Sequence, residues 1–257
     1  MTPKKHKILE IVQESQEVKT LRVDFKGDYS PGQFFEIGLL GIGECPISVA
    51  SDSREFVDFT IHKVGSVTDA LHTLKVGDPI FLRGPFGNGY PLQEMRGHPL
   101  VLIGGGCGVA PMSGVLEFVK GHKKDFKEVK VCFGFKSVNE LIYKKRLEDY
   151  KKDFSMNISF DTPDKNWRGF VGFITDLLKT EMIAKDSYCL VCGPPKMIDQ
   201  VVSILSKKGI PEDRILFSLE RKMQCGVGKC GHCRINEDYV CKNGPIFRYS
   251  KLKEMYD

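Results

Sequence analysis

The pattern of hydrophobic and polar positions divides the chain into two long parts and a short cysteine-rich end. In residues 6–90, β-branched and aromatic residues partly alternate with polar ones in short runs, and turns rich in Gly, Pro, Asn and Asp separate these runs. The pattern predicts a small antiparallel β-barrel. The runs are HKILEIVQE, VKTLRVDF, QFFEIGLL, CPISVAS, FVDFTIHKV and DPIFLRG. SVTDALHTLK has helical spacing instead, with Ser66 as a candidate N-cap.

After residues 92–99 the pattern changes to continuous apolar runs that alternate with amphipathic stretches. The pairs are LVLIGGG and APMSGVLEFVKGHKK, EVKVCFGF and VNELIYKKRLEDYKK, FSMNISF and FITDLLKTEMI, and SYCLVCG and PKMIDQVVSILSKKG. Such alternation predicts a parallel α/β sheet. We therefore expect a barrel over 1–95, an α/β domain over 96–215, and a small segment rich in Cys and Gly over 216–257.

Composition narrows the classes of function. The chain has 257 residues, of which 41% are hydrophobic and 28% are charged, as in an ordinary folded protein. No apolar run approaches the ~18 residues that a membrane helix needs. MTPKKHKILE lacks the apolar core of a secretory signal, so we expect a cytoplasmic protein without a membrane span. The nine cysteines are therefore not expected to form a disulfide framework, and those that cluster are expected to hold metal.

Basic residues are concentrated between Val119 and Lys152, where eleven Lys and Arg face five Asp and Glu. A solvated helix face is the usual explanation of such a run. The alternative is an anion site for a nucleotide phosphate or an acidic protein. No basic platform interleaved with aromatic residues accompanies the charge, so we expect no nucleic acid partner.

Two loops at predicted strand ends favour a dinucleotide site. In the first, GGGCGVAP, the candidate binding residues are Gly104, Gly105, Gly106, Cys107, Gly108 and Pro111. Glycines let the backbone approach a diphosphate, and the helix that follows offers free N–H groups. Val109 stands where the G-x-G-x-x-G fingerprint has its third glycine, so this loop alone is a weak signal. The second loop contains Cys192, Gly193 and Pro194 and opens the last helix.

Four cysteines near the end of the chain have the spacing of a metal site. Cys225, Cys230, Cys233 and Cys241 are separated by four, two and seven residues. Four thiolates bind either a tetrahedral zinc ion or an iron–sulfur cluster. The order C-x4-C-x2-C followed by a further Cys is typical of [2Fe–2S] ligation, whereas zinc ribbons present two C-x-x-C knuckles. The spacing favours the cluster, and zinc remains the alternative.

The order of these motifs resembles the ferredoxin–NADP reductase superfamily, in which a flavin-binding barrel precedes a nicotinamide-nucleotide domain. The resemblance implies that Pro46, Ile47, Ser48 and Val49 line a flavin and that a turn holds the flavin phosphate. That turn comprises Gly65, Ser66, Val67 and Thr68. His62 and Lys63 lie where family members touch the flavin. Cys192, the one candidate catalytic residue, is expected beside the nicotinamide and flavin rings. Cys45 replaces the family's phosphate-binding arginine, so Lys63 or the amides of 66–68 would have to supply that contact.

The cysteine-rich end sharpens this resemblance. MQCGVGKCGHCRI and YVCKNGPIF are similar to the B subunit of anaerobic sulfite reductases and the gamma subunit of sulfhydrogenases, and the electron-transfer subunit of dihydroorotate dehydrogenase is a close relative. The gap of seven residues before the fourth cysteine is shorter than in the dihydroorotate branch and favours the first two. The resemblance implies a diaphorase subunit that passes electrons between NAD(P)H, FAD and a [2Fe–2S] cluster. It also implies a hetero-oligomer in which an iron–sulfur subunit and a catalytic redox subunit are the partners. No general base or catalytic triad is expected, because the cofactors supply the redox chemistry.

Several alternatives stay open at this point. The chain fits the dihydroorotate branch, a zinc-containing nucleotide-sensing module without enzymatic activity, or a simple electron carrier with a vestigial nucleotide site. The choice between NADH and NADPH is also open. Lys136 and Ser137 follow the second apolar run in place of the acidic residue that favours NAD, whereas the sulfite reductase resemblance favours NADH.

Overall fold

The computed structural model describes residues 2–251. Their first part forms a six-stranded antiparallel sheet with the order β4-β3-β6-β1-β2-β5. A bridge between Val49 and Phe59 links its two outer strands and curls the sheet into a barrel. The strands are β1 Lys4–Ser15, β2 Val18–Asp24, β3 Phe34–Leu39, β4 Gly43–Ser48, β5 Phe56–His62 and β6 Pro79–Phe86. All six coincide with the runs that the sequence pattern predicts.

Alternate residues of these strands fill the barrel. Phe35, Ile37 and Phe59 are fully buried in one apolar cluster, as the period of two requires. Helix α1, Ser66–His72, contacts β3 and β4 and contributes Leu71 to the same cluster. The helix that the sequence predicts here is thus confirmed, although Gly65 and not Ser66 is its N-cap.

The second part is a seven-stranded sheet with the order β10-β9-β8-β7-β11-β12-β15. Six of the strands are parallel, and β15 joins β12 in the antiparallel direction. The strands after the barrel are β7 Leu100–Gly105, β8 Val129–Phe135, β9 Ser155–Phe160, β10 Phe170–Val171, β11 Tyr188–Cys192, β12 Ile215–Ser218, β13 Arg234–Ile235, β14 Asp238–Tyr239 and β15 Ile246–Arg248. The helices are α2 Val109–Gly121, α3 Lys144–Tyr150, α4 Ile174–Thr180, α5 Pro195–Lys207 and α6 Val240–Asn243.

This strand order reverses direction beside β7. The chain moves outward from β7 through β8 and β9, then returns to place β11 on the other side of β7. Ligands of open α/β sheets bind at the carboxyl ends of the strands where the order reverses. The antiparallel barrel followed by a parallel α/β sheet confirms the predicted fold class.

Two sequence expectations differ from the structure in detail. The stretch expected to be one helix over VNELIYKKRLEDYKK begins as a single 3-10 turn, and α3 starts only at Lys144. Tyr143 has φ of 61° and interrupts the helical path. The expected boundary between residues 215 and 216 falls inside β12, and β15 returns from the cysteine-rich end to the large sheet. No helix in residues 2–251 is long and apolar enough to cross a membrane.

A buried polar network joins the barrel to the α/β sheet. The Asp58 carboxylate on β5 accepts hydrogen bonds from Arg22 on β2 and from Arg146 on α3. Asp58 is only 1% exposed. The Tyr143 hydroxyl hydrogen-bonds with Thr60, and the Tyr143 amide donates to the Glu14 carboxylate over 2.7 Å. These contacts fix the orientation of α3 against two strands of the barrel.

Candidate functional site

A cleft of about 1820 Å³ opens at the carboxyl ends of β7 and β11, where the strand order reverses. Its walls come from the barrel, the α/β sheet and the cysteine-rich end, and we call it the nucleotide cleft. The predicted site residues that line it are His62, Gly105, Gly106, Cys107, Gly108, Cys192, Gly193 and Pro194. Both loops singled out as dinucleotide-binding therefore meet in one cavity.

The glycine-rich loop lies between β7 and α2 and needs glycine at particular points. Gly106 has φ of 55° and no atom within 4 Å of the place where a Cβ would stand, so its backbone faces open space. Gly108 lies in direct contact with the second loop, because a Cβ at this position would overlap the carbonyl group of Cys192. Gly104 and Pro111 are buried inside β7 and α2 and position the loop without lining the cleft.

Cys192 ends β11 at the floor of the cleft and is 6% exposed. Burial raises the pKa of its thiol to about 12, so the thiol is neutral at physiological pH. A neutral, buried thiol is a poor nucleophile but makes an apolar contact surface for a flat ring. This environment does not support covalent catalysis by Cys192, and its contact with nicotinamide stays a prediction.

The residues predicted to bind flavin lie on the barrel, and all except His62 are outside the walls of the nucleotide cleft. Pro46, Ile47 and Ser48 are on β4, and the turn before α1 lies beside that strand. The Ser48 hydroxyl is half-buried and has no hydrogen-bond partner within residues 2–251. Val49 is fully buried, and its carbonyl lies at the contact with Gly114 of α2.

Thr68 has a structural task that the motif alone does not reveal. Its hydroxyl accepts hydrogen bonds from the amides of Val64 and Gly65 and donates to the Gly65 carbonyl. With these bonds made, Thr68 shapes the turn. The first-turn amides of Ser66 and Val67 have no acceptor inside the helix and remain available to an anion. Lys63, exposed just before this turn, is the nearby cation in the sequence.

Cys45 provides no substitute for the family's arginine. Its thiol packs against the barrel core, and burial raises its pKa to about 12. It therefore carries no charge that could bind a phosphate. The half-buried β4 strand, the free Ser48 hydroxyl and the adjacent amides still fit a flavin, and contact of its phosphate with the backbone stays a prediction.

Several lining residues were not anticipated from the sequence. The turn between β1 and β2, residues 15–18, closes one side of the cleft. Asn139 and Glu140 follow β8 on another side, and Arg221 and Tyr249 come from the cysteine-rich end. They carry no motif, because their position depends on how the barrel and the end of the chain fold back onto the sheet. Lys136 and Ser137, which the sequence already marks at the position that bears on NADH or NADPH, line the cleft beside Asn139 and Glu140.

The four cysteines of the last segment gather as two pairs. Cys225 lies beside Cys230, and Cys233 lies beside Cys241. Cys225 also interacts electrostatically with Cys241, which brings the two pairs into one neighbourhood. No group of three His, Cys, Asp or Glu in residues 2–251 is arranged to hold a single metal ion. A two-iron cluster takes two thiolates per iron, so the paired arrangement fits it.

Backbone amides point at these sulfur atoms. Val227, Lys229 and Cys230 donate to the Cys225 sulfur over 3.3–3.4 Å, and Gly228 donates to the Cys241 sulfur over 3.1 Å. Partial burial raises the pKa of Cys225, but the amide hydrogen bonds outweigh it and leave the pKa below its ordinary value. Such amides stabilise thiolates and the negative charge of a reduced cluster.

The two pairs differ in exposure. Cys233 and Cys241 are each 2% exposed beside β13 and α6, whereas Cys230 is exposed to solvent. A cluster held by these residues would therefore be bound by one buried pair of cysteines and by one pair closer to the surface. Cys132 and Cys189, in contrast, are fully buried in strands, as expected for small apolar residues.

Comparison with known proteins gives the family. Residues 102–203 match the oxidoreductase NAD-binding domain, and residues 220–253 match the iron–sulfur cluster binding domain of dihydroorotate dehydrogenase B. The sulfhydrogenase 2 gamma subunit of Pyrococcus furiosus is 36% identical over 241 residues, which cover 86% of this chain and 83% of that subunit. The probable dihydroorotate dehydrogenase B (NAD(+)) electron transfer subunit of Thermoplasma volcanium is 35% identical, covering 96% and 89%. This chain belongs to their family.

Membership of this family makes the chain an NAD-binding oxidoreductase with an iron–sulfur binding domain. The predicted family and enzyme class are confirmed. Solved structures agree on the fold. The NADH-dependent reduced ferredoxin–NADP oxidoreductase, described for flavin-based electron bifurcation, superimposes with a TM-score of 0.80 at 24% identity, over 97% of this chain and 92% of that one. A Neisseria gonorrhoeae ferredoxin NADP+ reductase with bound FAD and NADP gives 0.69 at 21%, over 81% and 92%.

Proposed function

We propose that this chain is the diaphorase subunit of a larger redox enzyme, passing electrons between NAD(P)H, FAD and a [2Fe–2S] cluster. The partner would be a catalytic subunit of the sulfhydrogenase or anaerobic sulfite reductase type, together with an iron–sulfur electron-transfer subunit. The observation that carries the proposal is the pairing of four cysteine thiols under backbone amides, on the same chain as a nucleotide cleft. The three parts at 1–95, 96–215 and 216–257 would hold flavin, nucleotide and cluster.

The nucleotide cleft supports the first step. Gly106 offers open backbone to a diphosphate at the start of α2, and Pro194 leaves the second loop apolar. The neutral Cys192 thiol provides the surface on which a nicotinamide ring would rest. The residues after β8 include both a cation, Lys136, and an acid, Glu140, so the ribose side of the cleft does not choose between NADH and NADPH.

The barrel supports a flavin beside this cleft. Pro46, Ile47 and Ser48 would meet its ring, and the amides of Ser66 and Val67 would meet its phosphate. FAD is proposed over FMN because a solved structure with the same fold contains FAD. A bound flavin would supply the exchange between hydride and single electrons that nicotinamide alone cannot perform.

Cys225, Cys230, Cys233 and Cys241 would hold the cluster, and the cluster would supply one-electron transfer to the partner. The surrounding residues of the chain orient and stabilise these ligands. Amides at 227–230 orient and charge-stabilise the thiolates, and the buried pair anchors them beside β13 and α6. The exposed position of Cys230 supports electron exit toward a docked protein.

A second candidate is the electron transfer subunit of a dihydroorotate dehydrogenase. The match of residues 220–253 to the cluster domain of that enzyme favours it, as does the 96% coverage of the Thermoplasma volcanium relative. The two candidates differ in the partner and not in the relay. Purification of the native complex separates them, because only this second candidate co-purifies with a flavoprotein that oxidises dihydroorotate.

The relay itself is tested on the isolated chain under anaerobic conditions. We expect flavin, iron and acid-labile sulfide in a ratio of about one to two to two, and rapid bleaching of the flavin absorbance by NADH or NADPH. Zinc in place of iron and sulfide would support the nucleotide-sensing alternative. Bound flavin that neither nucleotide reduces would support the simple electron carrier and reject the diaphorase.

A further inference from the structure

Arg83, on β6 of the barrel, reaches the backbone of the predicted cluster loop. Its guanidinium donates to the Cys225 carbonyl over 3.0 Å and to the Gln224 carbonyl over 2.6 Å. The same group forms a two-point ion pair with Glu44, one bond of which is 2.9 Å long. Every nitrogen of the guanidinium therefore has an acceptor, and two of the contacts cross more than 140 residues of sequence.

The loop also packs on the barrel next to this arginine. A Cβ on Gly226 would stand 2.7 Å from the ring of Phe86, so the loop backbone lies directly on that ring. The Arg83 guanidinium lies 5.5 Å from the centre of the same ring. Loop, aromatic ring and guanidinium thus form one packed contact between the cysteine-rich end and the barrel.

The strand that carries Arg83 is also part of the predicted flavin site. In the sheet, Arg83 pairs with Glu36 of β3, and Glu36 pairs on its other side with Pro46 of β4. One strand therefore separates the backbone that holds the cluster loop from the backbone predicted to meet the flavin. Movement of Cys225 relative to β4 would be limited by this connection.

The positive charge of Arg83 is shielded from water, whereas the negative charge of its ion-pair partner Glu44 is partly exposed. The Arg83 side chain is 8% exposed and the Glu44 side chain is 35% exposed, so water screens the carboxylate more than the guanidinium. A cation held against the loop stabilises added negative charge nearby. Reduction of a cluster adds one negative charge, so the guanidinium favours the reduced state.

We propose that Arg83 is a positioning residue for the cluster: it fixes the backbone of the first ligand, Cys225, against the barrel, and its positive charge raises the reduction potential. This proposal rests on the proposed function, since it assumes that the four cysteines hold a [2Fe–2S] cluster. Glu44 serves to orient the guanidinium through the two-point ion pair.

The test uses the full chain, reconstituted anaerobically, with two readouts that do not depend on turnover. One is the rate at which a chelator removes iron, and the other is the midpoint potential from a redox titration followed by electron paramagnetic resonance. For Arg83→Met we expect iron loss about tenfold faster than wild type. We also expect the ratio of reduced to oxidised cluster at fixed potential to fall about tenfold, a shift of about 59 mV to more negative values.

Two further variants separate position from charge. Arg83→Lys keeps the charge but cannot span Glu44 and both carbonyls, so we expect faster iron loss with a potential close to wild type. Arg54→Met removes the same charge from an arginine that is 87% exposed and paired with Asp28, and it should leave both readouts unchanged. If Arg83→Met fails to fold, the rate of iron loss from Arg83→Lys alone tests whether Arg83 positions the cluster loop.

The outcomes distinguish this proposal from the function on which it rests. Arg83 variants with the iron-loss rate and potential of Arg54→Met would overturn the role of Arg83 while leaving the cluster in place. A wild-type chain without iron and sulfide would overturn both. Faster iron loss in both Arg83 variants, with a lower potential in Arg83→Met alone, supports positioning together with charge.

Discussion

The buried network around Asp58 stabilises the contact between α3 and the barrel, and removing one of its charges should lower the free energy of unfolding. We consider Arg146→Met, which removes a guanidinium that is 23% exposed and bound to a carboxylate that is 1% exposed. Arg146 also donates to the Ala50 carbonyl over 3.1 Å and to the Ser113 hydroxyl over 3.2 Å. Methionine keeps the apolar stem and fills most of the volume, so the change isolates the charge and its hydrogen bonds.

The expected loss in the free energy of unfolding depends on the hydrogen bonds that Asp58 keeps after Arg146 is replaced. Removing one partner of a buried ion pair costs about 3–5 kcal/mol when the other charge is left alone. Asp58 keeps Arg22, whose bonds to it are 2.9 and 3.1 Å long, and Arg146 has some contact with water. We therefore expect a loss of about 2–3 kcal/mol in the free energy of unfolding, or a fall of about 4–12 °C in Tm.

Thermal unfolding of the cofactor-free chain, followed by circular dichroism and calorimetry, measures this loss. Because Arg146 joins α3 to the barrel, we also expect the transition to broaden or split as the two domains unfold less cooperatively. Lys152→Met is the matched control, since Lys152 lies just after α3 and pairs with Asp149 at the surface. If both variants unfold at the wild-type temperature, the reasoning about the buried network is wrong.

Three further predictions concern the predicted sites. Gly106→Val adds a side chain at a residue with φ of 55°, which costs about 1–2 kcal/mol, and the side chain obstructs the cleft. We expect the KM for the nucleotide to rise about tenfold while the flavin content stays unchanged. The control Gly121→Ala, also at a glycine in open space, should change neither quantity. Cys233→Ser should abolish cluster assembly in iron and sulfide analysis, and Cys189→Ser, buried away from the site, should not; a full complement in both would contradict the ligand assignment. Burial raises the pKa of Glu36 from 4.5 to about 7, so the folded state holds the proton more tightly and the free energy of unfolding should fall by about 3 kcal/mol as pH rises through that window. Glu36→Gln should flatten this dependence in urea titrations, and an unchanged pH profile would refute the assignment.

The sequence pattern predicts the architecture well because each element has a clear period. The six barrel runs alternate, and the apolar runs that follow are continuous because β7, β8 and β11 are covered on both faces. The pattern fails at Tyr143, where a left-handed residue breaks an expected helix so that its side chain can reach Thr60 on the barrel. That demand is tertiary, and the local sequence carries no sign of it.

Some features of the candidate site are likewise predictable from local sequence, and others depend on tertiary contacts. Glycine-rich loops and cysteine spacing are local signals, and the structure brings the loops together in one cleft and the cysteines together in pairs. The role of Thr68 in shaping its own turn and the contact of Arg83 with the cluster loop depend on hydrogen bonds that no motif contains. A sequence clue to the second does exist: Glu36 and Arg83 are charged residues within strands that are otherwise largely apolar.

The proposed relay is tested most directly by the electron paramagnetic resonance spectrum of the anaerobic chain after addition of NADH or NADPH alone. We expect a signal from a reduced [2Fe–2S] cluster at about one spin per chain, because a nucleotide in the cleft must be able to reduce a cluster held by the four cysteines. A chain that contains iron, sulfide and flavin but shows no such signal, while dithionite produces it, would contradict the relay.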